Sequence, residues 1–262
     1  MIKKLIFLVG AALLTSCASL NIGSGDSDEL SGVGRIPGYD FGTAITLPEG
    51  FEIALPDVAG GLIGPKVSGN RLLMIGDSIF AAVSRRYSNM ACDRLVPMGW
   101  QVAVEAERGR FIDLGLRIVK KKLPQGFDAA VLFLGTNYGK KQDVYKEYLD
   151  KILDELAPRP VIILTATEYK PFIREVNSVI EEEVRTRDNV WLVDWREISK
   201  TPGVLWKDGI HPVDEGNVLL MDSIIEALGN APGDLPGECL KVEFKEDAPL
   251  SNLPTTVPEV ET

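Results

Sequence analysis

The chain has 262 residues, 45% hydrophobic and 25% charged, which suits a globular protein with a full core and excludes a disordered chain or a disulfide mini-scaffold. Its formal net charge of −10 repels phosphate backbones, so no nucleic-acid partner is expected. One histidine and three cysteines, with no CxxC or HxxxH spacing, are too few for a structural zinc site; neither a metal nor a cofactor is expected, and imidazole chemistry falls to His211 alone.

At the N-terminus, Lys3 and Lys4 precede an apolar run from Leu5 to Leu14, too short to cross a bilayer as a helix. The run ends in Leu14-Thr15-Ser16-Cys17. This resembles the lipobox of a bacterial lipoprotein signal, which implies cleavage before Cys17, acylation of Cys17 and attachment to the cell membrane or envelope of an exported protein. The expected layout is a signal peptide over 1–16, a lipid-anchored flexible tether and extended N-terminal wrap over 17–66, a catalytic domain over 67–230, and a Pro-rich acidic tail over 231–262. The tether is read from its Gly, Ser and Asp content, which buries little. Exported proteins with two remaining cysteines usually pair them. A Cys92–Cys239 disulfide stapling the tail to the first core helix is therefore expected, with two independent thiols as the alternative.

Five apolar runs read as buried strands: 71–75, 101–105, 129–134, 161–165 and 190–194. Most are continuous rather than alternating, as strands covered on both faces are. Helical patterns fall between and after them, at 80–96, 111–122, 141–156, 172–186 and 214–228. This alternation predicts an α/β fold: a three-layer α/β/α sandwich around a five-stranded parallel sheet, flavodoxin-like in build. Sites in such sheets lie at the carboxyl ends of the strands.

Gly76-Asp77-Ser78 follows the first strand, Arg108-Gly109-Arg110 the second, Gly135-Thr136-Asn137 the third, and Asp208-Gly209-Ile210-His211 comes after the fifth. These are the parts that acyl transfer needs. Ser78 is a hydroxyl nucleophile, His211 a base to activate it, and Asp208 a carboxylate to orient the imidazole. The Ser78 and Gly109 N–H groups and the Asn137 amide are candidate donors for the oxyanion. Each feature alone is a common turn, loop or cap; together they occur in order, and the only histidine falls where a base is required.

The four blocks together resemble the SGNH (GDSL-type) hydrolase family over about residues 68–230. The resemblance implies a Ser78, Asp208, His211 triad and an oxyanion hole of Ser78, Gly109 and Asn137. Two positions depart from the family pattern: Ile79 stands where Leu is common, and Tyr138 where Asp often follows the asparagine. The G-x-S-x-G elbow of α/β-hydrolases is absent. The implied activity is a serine esterase cleaving acyl esters, acetyl among them, carried on envelope carbohydrates. An O-acyltransferase with the same triad and a non-catalytic binding lipoprotein on the same frame are the alternatives. A flavodoxin-like nucleotide binder fits less well, because the first loop is too poor in glycine to cradle phosphate.

Overall fold

The computed structural model describes residues 62–242, so Cys17 and the expected signal peptide lie outside the described residues. Within them, apolar runs form strands wherever both faces are covered. These are β1 (Arg71–Gly76), β2 (Gln101–Ala106), β3 (Ala129–Phe133), β4 (Val161–Leu164) and β5 (Val190–Val193), the last five residues of each of β1 and β2 and all of β3 and β4 being buried. Helices flank them: α1 (Ser78–Val83), buried along its whole length, α2 (Met90–Leu95), α3 (Asp113–Lys122), α4 (Gln142–Leu156), α5 (Ile173–Thr186), a single turn α6 (Trp195–Ile198) and α7 (Asp214–Leu228).

The pairing is parallel throughout, in the order β5-β4-β3-β1-β2-β6. The sheet has six strands, which corrects the expectation of five. The extra strand β6 (Glu238–Cys239) pairs with β2 through Gln101↔Glu238 and Val102↔Cys239. Two residues from a Pro- and Gly-rich tail carry no readable period, so only pairing with a neighbour reveals them as a strand. The tail is pinned further where Asn70 Nδ2 donates to the Gly99 and Pro236 carbonyls at 2.7 and 3.0 Å. The expected Cys92–Cys239 disulfide is present and joins α2 to β6.

Alternate strand residues point to opposite faces. Leu72 and Met74 pack in a core with residues of α1, α2 and α7. Leu73 and Ile75 pack in a second core with residues of α3, α4 and α5. The pattern expected as one helix over 80–96 is two helices. Ser84 is extended at ψ 165° after α1, and Asn89 is left-handed at φ 58° before α2. Ser84 and Ser88 hydroxyls bond back to the Ala81 and Ala82 carbonyls, a local alternative to helical bonding that apolar periodicity does not register.

Candidate active site

The order of the first five strands, 2-1-3-4-5, reverses direction beside β1. A doubly wound sheet opens its crevice at such a switch point, outside the carboxyl ends of the strands. Gly76 closes β1. A Cβ there would come within 2.6 Å of the Phe80 Cβ, so only glycine lets α1 fold back so tightly. Asp77 caps α1, its Oδ1 accepting from Ile79 N at 3.1 Å, and Ser78 is the first residue of the helix.

Ser78 Oγ lies 2.8 Å from His211 Nε2, and His211 Nδ1 lies 2.7 Å from Asp208 Oδ2. The turn carrying both partners is built from short-range bonds. Asp208 Oδ1 accepts from Ile210 N at 2.8 Å and His211 N at 3.1 Å, Gly209 N donates to the Trp206 carbonyl, and Trp206 N donates to that of His211. The carboxylate is therefore fixed by its own turn before it meets the ring. With Nδ1–H donating to Asp208, Nε2 is left to accept the Ser78 hydroxyl proton. Ser78 is buried, while the His211 and Asp208 side chains keep 13% and 26% exposure, so the imidazole is reachable from solvent and the hydroxyl is shielded.

Asn137 reaches the same place from the end of β3. Its Nδ2 donates a long hydrogen bond, 3.4 Å, to Asp77 Oδ2, leaving its other proton free. Gly109 stands in the turn after β2 at φ +70°. Two residues before it, Glu107 N donates to the Gly76 carbonyl at 3.3 Å, which ties that loop to the end of β1. The structure thus joins Ser78, His211 and Asp208 in one hydrogen-bonded chain, brings in Asn137 through Asp77, and sets Gly109 in the adjoining loop.

Asp77 is the residue that sequence reasoning passed over. It is fully buried, and burial pushes its carboxyl up to about 6, against the Ile79 N–H, His211 and Asn137, which favour the charged form. Its place between a strand end and Ser78 was the only available signal, because burial is not readable from a Gly-Asp-Ser turn. Tyr138, where the family often has Asp, turns away from the triad. Its hydroxyl donates to Glu175 Oε2 on α5 at 2.5 Å, and its ring meets Tyr145 edge-on at 6.0 Å. Burial, together with the Glu175 carboxylate, raises the Tyr138 phenol above its ordinary value.

No family model matches the sequence, and comparison with curated proteins finds no match. Solved structures do match. The C-terminal catalytic domain of Streptococcus pneumoniae peptidoglycan O-acetyltransferase A superposes with a TM-score of 0.50 at 20% identity, over 61% of this chain and 92% of that one. The chain shares the fold of that domain. A Clostridium thermocellum family 3 carbohydrate esterase (TM-score 0.49, 14% identity, 61% of this chain and 95% of that one) and a G-D-S-L family protein of Desulfitobacterium hafniense DCB-2 (0.48, 13%, 61% and 99%) are also similar. On this frame Ser78, Gly109 and Asn137 follow β1, β2 and β3, and His211 precedes α7. No helix among the described residues is long and apolar enough to cross a membrane.

Proposed function

We propose that the chain is a serine esterase of SGNH type, built as a three-layer α/β/α sandwich and tethered to the cell envelope through an acylated Cys17. On this reading it cleaves acyl esters, envelope carbohydrates being the class of carrier that an anchored enzyme meets. The observation that carries the reading is the unbroken chain from Ser78 Oγ through the imidazole of His211 to Asp208.

In the reaction Ser78 Oγ attacks the ester carbonyl while His211 Nε2 takes the hydroxyl proton, and Asp208 steadies the imidazolium. The carbonyl oxygen becomes an oxyanion held by the Asn137 amide and the Ser78 and Gly109 N–H groups. Collapse expels the alcohol, which takes the proton from His211 and leaves Ser78 acylated. Water then repeats the sequence and releases the acid. A sugar hydroxyl in place of that water gives acyl transfer, the second reading, favoured by the fold shared with an O-acetyltransferase domain.

A fluorophosphonate probe should label Ser78 in the wild type and leave Ser78→Ala unlabelled, with p-nitrophenyl ester hydrolysis lost in the same variant. An unlabelled wild type would instead favour a non-catalytic binding role. Product analysis with and without an acceptor sugar separates hydrolysis from transfer. In cells, Cys17→Ala should leave the membrane fraction; unchanged detergent partitioning would remove the anchor from the reading.

A further inference from the structure

Among the described residues five large hydrophobic side chains are exposed, and two of them, Phe111 and Val144, meet in one cleft. The cleft measures about 270 Å³ and is largely apolar, with Tyr138, Tyr145 and Tyr148 in its walls, Asp113 and Lys141 beside them, and Asn137 in the lining. Exposed apolar side chains gathered in a concave site, rather than scattered, mark a place where an apolar group binds. The cleft shares Asn137 with the candidate active site, so whatever enters it is attached close to the reacting carbonyl.

Two further observations decide which part of an ester that is. First, the cleft and the base approach Ser78 from opposite faces of the sheet. Ile112, Tyr145 and Leu149 belong to the core beneath α3 and α4, whereas α7, which His211 precedes, packs with α1 and α2 on the other face. The leaving alcohol must sit beside His211 to collect its proton, so the group directed away from His211 is the acyl chain. Second, two of the three tyrosine hydroxyls in the lining are committed. Tyr138 Oη donates to Glu175, and Tyr145 Oη donates to the Leu134 carbonyl at 2.6 Å. A sugar against the Tyr138 and Tyr145 wall would find two fewer partners for its hydroxyl groups, whereas a hydrocarbon chain loses nothing there.

We propose that the cleft between Phe111 and Val144 is an acyl-chain pocket, which selects esters of medium-chain acids over acetate. The proposal rests on the esterase reading above and narrows its substrate class.

The test is a p-nitrophenyl ester series, from acetate to octanoate, on the full chain and on Val144→Trp, whose indole would fill the cleft. Each added methylene should raise kcat/KM about fourfold as far as hexanoate, about 10²-fold in all. Val144→Trp should cut the octanoate-to-acetate ratio at least tenfold. Calorimetry with octanamide, an uncharged chain that needs no turnover, gives an independent readout: Ser78→Ala should bind it and Ser78→Ala/Val144→Trp should not. A flat chain-length profile with active enzyme would overturn the pocket and leave the esterase standing. If no ester turns over, the esterase reading fails, and octanamide binding alone decides: binding lost in the double variant upholds the pocket, and equal or absent binding in both overturns it.

Discussion

Asp77 Oδ2 and Asn137 Nδ2 stand 3.4 Å apart, which couples the turn that presents Ser78 to the loop that presents the proposed oxyanion donor. The carboxyl of Asp77 therefore holds two loops, with one oxygen on Ile79 N and the other on Asn137.

This residue has a definite pH signature. Its carboxyl holds its proton up to about 6 in the fold, against an ordinary 3.8. The folded state therefore binds the proton more tightly than the unfolded chain. The resulting stabilisation is complete below about pH 4 and is lost as pH rises through 6, an effect of about 3 kcal/mol for a fully buried group. Urea unfolding of the wild type and Asp77→Asn from pH 4 to 7 measures it. The wild type should lose about that much relative to the variant, and a constant difference would mean that Asp77 does not titrate there. The ascending limb of activity should likewise contain an ionisation near 6 in the wild type that is missing in Asp77→Asn.

In the proposed mechanism Asn137 acts on charge that exists only in the transition state. Asn137→Ala should lower kcat by about 10²–10³ with little change in KM, the loss that follows removal of one oxyanion donor. Steady-state kinetics on an aryl ester checks it; a pure KM effect would make Asn137 a substrate-binding residue.

Asp208 is fixed by its own turn, so Asp208→Asn should keep the fold while offering an amide to a ring that needs an acceptor. We expect kcat at the pH plateau to fall of order 10²–10³ with an unchanged unfolding midpoint. If the plateau is untouched, the triad reduces to a Ser78–His211 dyad.

The Cys92–Cys239 bond closes a loop of 147 residues in sequence separation and secures a strand of only two residues at the sheet edge. Reduction should lower unfolding stability by up to about 4–5 kcal/mol in the chain-entropy model. Urea unfolding with and without reductant measures the loss. Thiol counting of the denatured, unreduced protein should find Cys92 and Cys239 blocked; both reacting freely would refute the bond.

The sequence alone determined the α/β alternation, five of the six strands, and the four loops that carry Ser78, Gly109, Asn137 and His211. These features are local: a continuous apolar run, a glycine at a strand end, an Asp three residues before a His. Tertiary structure decided what depends on distant partners. The strand Glu238–Cys239 exists because the edge of β2 is there to pair with it. The break between α1 and α2 comes from Ser84 and Ser88 bonding back to the preceding turn, which hydrophobic periodicity does not record. Asp77 holds its proton to about 6 because the packed sheet removes its water. Phe111 and Val144 lie 33 positions apart and form one cleft only because β2 and β3 flank β1 and bring together the loop after β2 and the start of α4. Pattern along a chain reports which residues seek burial, whereas the depth of burial and the identity of the neighbour are set by the packing of the whole sheet.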